Sequence, residues 1–303
     1  MVQKIKIHGV GCISLDTIIR IDGKLKVGEK ISSQIMLTEL GGLAGRAITT
    51  ASILGADCSF HCYLGSDRYS REVISKLGEL EVCTEDILQV DNVKPIISTS
   101  IIDEDRLKRT VFYDKNNWSY NIENEIENLD KIENASTILI DDYTSTNTLG
   151  KIFDVSWRLG IPIVADYENL EIHKSNTLID NVQHLIISKT FAQNLLGITD
   201  ISEIVKKLWN DKKDILAITD GENGCFYKSR DSNEIEHQKA FIRKTKNTLG
   251  CGDVFHGAYA ISLFKYDDFK SRMEYASAAA SLRASGWDIS DENISKLLNE
   301  YKV

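Results

Sequence analysis

The chain contains 303 residues, 42% of them hydrophobic and 27% charged, and it carries a net charge of −9 with a pI near 5.3. This is the composition of a soluble globular protein with one large or two medium domains. The sequence has no dense block of Lys and Arg, no apolar run of about 18 residues and no signal-peptide core, which argues against nucleic-acid and membrane partners and against secretion. We therefore expect a cytoplasmic protein whose six cysteines, which form no C-x-x-C pair, are free thiols.

The N-terminal third is predicted to be rich in strands. In chain order the pattern predicts a strand at 5–14, a small β-sheet within 17–40, a helix at 43–54, a strand at 58–64, a helix at 67–80 and a hairpin at 95–113. The early glycines suggest a G-x-G-x-x-G dinucleotide motif, but its third glycine would fall on Ser14 and a strand follows instead of a helix. We reject a dinucleotide site at this place.

The remainder of the chain alternates more regularly between strands and helices. Strands are predicted at 136–141, 161–166, 184–188 and 214–219, with a hairpin-like stretch to about 245, and helices at 146–159, 190–196, 201–210, 253–264, 268–285 and 290–300. Such alternation predicts a mainly parallel sheet with helices on both faces. Because ligands bind beyond the carboxyl ends of such strands, glycine-rich turns at 41, 221 and 250 are expected to follow strands and to share one cleft.

The turn before the helix at 253–264 carries the clearest chemical signal. Gly250 and Gly252 allow the backbone to approach a ligand closely, and the first amides of the helix lie at its positive end, where they can bind an anion. Asp253 would be repelled by a bound phosphate, so its presence indicates a base that takes a proton from a hydroxyl beside a phosphoryl group. The alternative is a carboxylate that only satisfies the helix dipole.

A second glycine-rich turn follows the strand at 214–219. It contains Thr219, Gly221 and Gly224, and the chain has no G-x-x-x-x-G-K-[ST] phosphate loop. This turn either contributes to a nucleotide site together with the turn at 250–253, or is an ordinary turn at the end of a strand.

Several segments together resemble the PfkB/ribokinase family of carbohydrate kinases. The sequence N-T-L-G-C-G-D at 247–253 is similar to the family signature D-T-x-G-A-G-D. The other similar segments, in the family's order, are G-G-L-A-G-R-A at 41–47, L-G-A at 54–56, L-G-S-D at 64–67, R-T at 109–110 and T-D-G-E-N-G at 219–224. The resemblance therefore covers almost the whole chain.

The resemblance implies a fold, an architecture and an activity. It implies a three-layer α/β fold, with residues 1–303 forming a single ribokinase-like domain into which a small β lid from about 14–40 and 95–114 is inserted. It also implies an enzyme, a carbohydrate kinase that uses ATP and Mg²⁺ to phosphorylate a hydroxyl of a sugar or a sugar derivative. The lid of such kinases closes over the sugar and often pairs two subunits, so a homodimer through the lid is expected.

The resemblance also implies roles for individual residues. Asp253 is the general base, and the amides of Gly250, Cys251 and Gly252 form the anion hole. The implied substrate-binding residues are Asp16, Gly41, Gly42, Arg46 and Arg109, and the implied nucleotide-binding residues are Lys189, Thr219, Gly221, Gly224 and Thr248. For four of these residues a plainer interpretation stays open. It is a turn carboxylate at Asp16, a plain turn at Gly41 and Gly42, and a packed thiol at Cys251, which replaces the usual Ala.

Three departures from the family pattern affect these expectations. Leu43 and Arg46 replace the two Asn ligands for sugar hydroxyls. One interpretation is an anionic acceptor bound by Arg46, with help from Arg106 and Arg109. The other is that Arg46 extends to solvent. Phe191 stands at the Glu position of the N-x-x-E motif, and Lys189 is expected to meet the phosphates instead. Asn247 replaces an Asp that often belongs to a monovalent-cation loop, which puts K⁺ activation in doubt.

Two other functions remain open. Within the same class the chain could be a nucleoside kinase. From a different class it could be a catalytically weak homologue that binds sugar or nucleotide, although a binding protein has no need for the base Asp253.

Overall fold

Two β-sheets organise the protein, whose computed structural model describes residues 4–103, 108–114, 129–171 and 177–301. Numbered along the chain, the strands are β1 (Lys6–Val10), β2 (Ser14–Ile21), β3 (Ser33–Gly41), β4 (Asp57–His61), β5 (Tyr63–Leu64), β6 (Val82–Cys83), β7 (Leu88–Gln89), β8 (Ile96–Asp103), β9 (Lys108–Tyr113), β10 (Thr137–Asp141), β11 (Ile163–Asp166), β12 (His184–Ser188), β13 (Ile215–Thr219), β14 (Cys225–Ser229) and β15 (Glu236–Gln238).

The helices separate most of these strands. They are α1 (Leu43–Ile53), α2 (Arg68–Glu79), α3 (Asp130–Glu133), α4 (Thr146–Leu159), α5 (Thr177–Asp180), α6 (Lys189–Leu196), α7 (Ile201–Leu208), α8 (Cys251–Ser262), α9 (Phe269–Ser285) and α10 (Asp291–Glu300). No helix among the described residues is long and apolar enough to cross a bilayer.

The large sheet has nine strands in the order β15-β14-β13-β12-β11-β10-β1-β4-β6. Its pairs are parallel from β6 to β13, and only β14 and β15 join in an antiparallel sense. Successive residues of β10 alternate between two buried clusters, with Leu139 in one and Ile138 and Ile140 in the other. Because successive side chains of a strand point to opposite faces, the sheet is covered on both sides. The predicted fold class is confirmed.

The small sheet has four strands in the order β3-β2-β8-β9. The strands β2 and β3 are antiparallel, β2 and β8 are parallel, and β8 and β9 form the hairpin that the sequence predicts at 95–113. Of the connecting turn, residues 104–107 lie outside the described part of the chain.

Two expectations need correction. The predicted strand at 5–14 is divided, because the Cys12 amide donates to Asp141 Oδ2 at 2.8 Å and the chain leaves the large sheet after Val10. The turn at Gly250 does not follow a strand, since residues 239–249 have no regular secondary structure. The turn is instead positioned by the helix that follows it, α8, whose residues from Val254 to Ser262 are buried.

Helix α8 is positioned by close contact with α1. A Cβ atom at Gly257 would overlap the carbonyl oxygen of Ala47, which follows Arg46 in α1. The two helices therefore meet backbone to backbone, and this contact fixes Arg46 relative to the first turn of α8.

We predict that Gly257→Ala destabilises the protein, by about 1–3 kcal/mol, because the added methyl group forces the two helices apart. Gly150→Ala in α4 is the matched control, since a Cβ there meets nothing within 4 Å. The control should stabilise the protein by about 0.5–1 kcal/mol, the difference in helix propensity. Urea unfolding of both variants measures the two effects, and equal stabilities would contradict the contact.

Candidate active site

Asp253 lies in the first turn of α8, next to amides that the helix leaves free. Gly250 precedes the helix in a left-handed conformation with φ 77°, and as a glycine it has no side chain to cap this end. A Cβ at Gly252 would meet nothing within 4 Å, so space is open beside the turn. Within the predicted anion hole, the Cys251 amide already donates to Thr248 O at 3.4 Å, a long hydrogen bond.

Arg46 occupies the centre of the candidate site and contacts three carboxylates. Its Nη1 lies 2.9 Å from Glu39 Oε1, its Nη2 lies 3.1 Å from Asp16 Oδ2, and its Nε lies 3.5 Å from Asp253 Oδ2. The side chain is only 7% exposed. The interpretation in which Arg46 extends to solvent is therefore wrong.

Glu39 and Arg283 complete this cluster, and the sequence reasoning missed both. Arg283, in α9, forms an ion pair with Glu39 through Nη2, and its Nε donates to Leu249 O at 3.0 Å. Glu39 thus lies between two guanidinium groups of opposite charge. Burial raises the pKa of Glu39, but the combined effect of Arg46 and Arg283 is larger, so the pKa is lowered overall. The two residues are 244 positions apart, so no local pattern could have joined them.

Asp16 is a buried strand residue and not a turn carboxylate. It lies in β2, where its Oδ1 accepts hydrogen bonds of 2.7 Å from both Ser14 Oγ and Ser98 Oγ. A Cβ at Gly41 would overlap Asp16 Oδ2, so the glycine is required by this packing. Gly42, with φ 83°, begins α1 against the backbone of Cys12 and Ile13.

Further carboxyl groups lie at the carboxyl ends of the neighbouring strands. Asp141 ends β10, Asp166 ends β11, and Glu168 follows β11. Burial, followed by the nearby Asp253, raises the pKa of Glu168 to about 7 and that of Asp166 well above its usual value. The rule that ligands meet the carboxyl ends of parallel strands could have drawn attention to these residues.

His256 connects the first turn of α8 to these strands. Its Nδ1 lies 2.8 Å from Gly252 O and 3.3 Å from Asp166 Oδ2, and its Nε2 lies 3.0 Å from Ile186 O. Burial lowers the pKa of His256. The imidazole therefore fixes the turn that carries Asp253 against the ends of β11 and β12.

Burial raises the pKa of Asp253 from 3.8 to about 6, against the opposing effect of Arg46. Asp16 raises it further, and Arg283 and Arg109 lower it. A carboxylate with a pKa close to neutrality is a more effective proton acceptor than an ordinary one. Cys251 beside it has a pKa raised to about 11 by burial, so its thiol stays protonated at neutral pH, which favours a packed thiol.

The predicted nucleotide residues fall into two groups. Ser188 at the end of β12 pairs with Thr219 at the end of β13, which brings Lys189 beside the turn that contains Gly221 and Gly224. Lys189 Nζ lies 2.7 Å from Asp220 Oδ2, so a phosphate would have to share this lysine with the carboxylate. Phe191, at the family's Glu position, is packed in the core.

Thr248 belongs to the second group, beside the small sheet. Its Oγ1 accepts a hydrogen bond of 2.9 Å from Arg109 Nη1, and Lys246 O accepts one of 3.3 Å from Arg20 Nη2. Asn247 Oδ1 accepts from the Leu249 amide at 2.9 Å. The small sheet thus touches the turn of the candidate base, while Arg106, predicted to assist Arg109, lies outside the described residues.

A proton acceptor at the open end of a helix, beyond a mainly parallel sheet, is the arrangement expected of an enzyme that phosphorylates an alcohol. The model of the pfkB family of carbohydrate kinases matches residues 13–286. The chain therefore belongs to this family, and it is a phosphotransferase with a hydroxyl acceptor.

Individual relatives are distant but cover nearly the whole chain. The ribokinase of Dictyostelium discoideum is 27% identical over 296 residues, which span 90% of this chain and 92% of the relative. The structure of Arabidopsis thaliana ribokinase complexed with ribose and ATP has a TM-score of 0.80 at 19% identity, covering 98% of this chain and 99% of its own. A nucleoside kinase from Methanocaldococcus jannaschii has a TM-score of 0.72 at 17% identity, covering 97% and 98%. The two structures share the fold of this chain.

We predict that Asp253→Asn stabilises the protein at pH 8, by about 1–3 kcal/mol. The folded-state pKa of Asp253 is raised from 3.8 to about 6, so between these values the folded protein binds a proton that the unfolded chain has released. Stability is then lost as the pH rises through this window, and the amide removes the loss.

Denaturant unfolding at pH 8 and pH 4 measures the effect. The gain should disappear at pH 4, where the carboxyl group of Asp253 is protonated in the folded protein. Asp268→Asn, the same change at the exposed start of α9, is the control and should give no gain at pH 8, since the pKa of Asp268 is lowered by its hydrogen bond from the Ser271 amide. A gain for Asp253→Asn that persisted at pH 4 would contradict the raised pKa.

Proposed function

We propose that the protein is an ATP-dependent sugar kinase in which Asp253 is the general base. The observation that carries the proposal is the partly buried Asp253 carboxylate, with its pKa raised to about 6, beside the N-terminus of α8, which begins after a glycine. The carboxylate takes the proton of the acceptor hydroxyl, the hydroxyl oxygen forms a bond to the γ-phosphorus, and the bond to ADP breaks. The charge of the transferred group is stabilised by the amides at the start of α8, chiefly that of Gly252.

The nucleotide side of the proposed site follows the ends of β12 and β13. There Lys189, Thr219 and the turn with Gly221 and Gly224 receive ATP, with Thr248 at the γ-phosphoryl end. Mg²⁺ arrives with ATP, held mostly by phosphate oxygens and water, and it neutralises charge on the phosphates. The ribokinase of known structure that binds ATP supports this assignment through the shared fold.

The acceptor side lies under the small sheet. We propose that residues 1–303 form one ribokinase-like domain in which this sheet acts as a lid, because Arg20 and Arg109 reach from it to the turn at 246–248. Closure of the lid would exclude water from the phosphoryl transfer. Asp16, Gly41 and Gly42 are the proposed acceptor contacts at its base.

An anionic acceptor remains a finer hypothesis within this proposal. Arg46 already contacts Asp16, Glu39 and Asp253, so an acceptor anion would have to displace one of these carboxylates. Arg109, whose side chain lies in the exposed strand β9, is the cation better placed to meet a phosphate or carboxylate on the acceptor. A nucleoside acceptor is the alternative, supported by the fold shared with an archaeal nucleoside kinase.

We predict that the chain releases ADP from ATP with at least one member of a panel of sugars, sugar phosphates, sugar acids and nucleosides. Asp253→Asn should lower kcat by about 10²- to 10⁴-fold, the usual effect of losing a general base, with nucleotide affinity retained. Coupled ADP assays and calorimetry with ATP measure the two quantities. The control Asp268→Asn should match the parent in both.

The same panel separates the alternatives. Preference for sugar phosphates or sugar acids over neutral sugars would support the anionic acceptor, and preference for nucleosides would support the nucleoside kinase. ATP binding without turnover of any compound would favour a binding protein and contradict the proposal.

We propose, finally, a cytoplasmic homodimer that forms through the small sheet. Both edge strands expose large apolar side chains, with Met36 of β3 66% exposed and Phe112 of β9 54% exposed. Apolar edges of this kind favour pairing with another chain.

We predict that Phe112→Lys shifts the sedimentation of the protein from dimer to monomer, since a charge at the interface opposes its burial. Leu159→Lys is the matched control, because Leu159 is exposed at the end of α4, away from the small sheet, and it should leave the dimer intact. A parent protein that sediments as a monomer at all concentrations would contradict the dimer.

A further inference from the structure

We infer that Arg46 is a positioning residue for Asp253 and not a ligand for the acceptor. Its guanidinium is a cation built into the protein, which orients the Asp253 carboxylate and keeps it ionised until a hydroxyl arrives. This inference rests on the proposed role of Asp253 as the base. It replaces the assignment of Arg46 to the acceptor site.

The guanidinium group is little exposed to a substrate, since the Arg46 side chain is only 7% exposed. The planar group presents its N–H donors in a fixed fork, so that the direction of one donor fixes the others. Nη1 and Nη2 are directed at Glu39 and Asp16, and these contacts leave Nε facing Asp253. In the described part of the chain the buried Nε has no hydrogen-bond acceptor within range, and Asp253 Oδ2 at 3.5 Å is its ionic partner.

The turn before α8 is shaped around the same side chain. A Cβ at Gly250 would overlap the Arg46 side chain at Cδ, and Gly250 has a φ of 77° that favours glycine. Gly250 therefore allows Arg46 to pack against the turn that carries the base. The close approach that a glycine permits is used here by a residue of the protein itself.

A second arginine holds this arrangement in place. Arg283 forms an ion pair with Glu39, the partner of Arg46, and donates to Leu249 O in the same turn. Arg46 is thus anchored, through Glu39 and Arg283, to the segment whose carboxylate it contacts. A residue that only bound the acceptor could be replaced without disturbing this cluster, whereas replacing Arg46 alters the surroundings of Asp253.

After burial, Arg46 has the largest effect on the pKa of Asp253. The charged and titratable groups around that carboxylate, from the elements packed against it, are Asp16 of β2, Glu39 of β3, Arg46 of α1, Arg109 of β9, Asp166 of β11, Glu168 after β11, Cys251 of α8 and Arg283 of α9. Four of these are carboxyl groups, so Asp253 without Arg46 would lie in a more negative site. Its proton would then be held more tightly.

The inference is tested by the pH dependence of kcat/KM in two Arg46 variants. In Arg46→Gln the acidic limb of the profile should move upward by about 1–2 pH units, the usual effect of losing an opposite charge at this distance. In the single variant Glu39 loses its contact with Arg46, whereas the double variant Arg46→Gln/Glu39→Gln also removes the charge of Glu39. The double variant therefore provides the test if the single variant does not fold. Its limb should move in the same direction, because the 3.5 Å contact between Arg46 and Asp253 is lost in both variants.

Arg158→Gln is the matched control, since it removes the same charge from an arginine of α4 that is exposed and paired with Glu133 outside the proposed site. Its acidic limb should stay within about 0.3 pH units of that of the parent, as expected for an exposed charge. In both Arg46 variants the activity lost near neutrality should return at pH values above the shifted limb. A purely structural defect would not recover in this way.

Two outcomes would overturn the inference and are distinguishable from a failure of the proposed function. An unmoved limb with a higher acceptor KM at every pH would identify Arg46 as an acceptor ligand. An unmoved limb with unchanged KM would show that Arg46 does not act on the base. If Asp253→Asn itself kept full activity and the parent's acidic limb, the proposed function would fail first.

Discussion

One buried guanidinium group, that of Arg46, holds the candidate site together. It contacts carboxylates from β2, β3 and α8 while belonging to α1 itself, so four elements meet at one charge. A buried charge without a partner is strongly destabilising, and this holds for the carboxylates as much as for the arginine. Two contacts keep Arg46 close to these carboxylates, namely the packing of α1 against α8 at Gly257 and the ion pair between Glu39 and Arg283.

A protein with a net charge of −9 has to receive a highly anionic nucleotide at a site that is itself rich in carboxyl groups. Burial, followed by neighbouring carboxylates, raises the pKa values of Asp141 and Glu168 to about 7, so near neutrality these groups are only partly ionised. Each raised pKa means that stability is lost as the pH rises from the usual carboxyl value toward 7. The candidate site therefore lowers the stability of the fold at neutral pH, while it gains a weakly charged surface and, in the proposed function, an effective base.

Sequence patterns predicted the elements whose limits are set locally. Helix α4 has the bounds that the sequence predicts, and the structure shows why they are set locally: Ser145 caps its start and Gly160 ends it in a left-handed conformation. The division of the first strand was not predictable, since it depends on Asp141, which is 129 residues from Cys12. The same reason explains the missed site residues. Glu39 and Arg283 carry no local signal, and their role exists only once α9 lies beside the small sheet.

The residues proposed for phosphoryl transfer are contiguous in the chain, whereas the surroundings of the proposed base are assembled from distant segments. A motif can therefore identify Asp253, but it cannot say what Arg46 does there. Read from the motif alone, an arginine in place of an amide ligand indicates an anionic acceptor. Its partners give a different account, because Asp16, Glu39 and Asp253 together supply the anions that such an arginine requires. A residue that departs from a family motif can thus be interpreted only together with the residues that contact it. Here the charge of Arg46 is balanced by carboxylates of the protein itself.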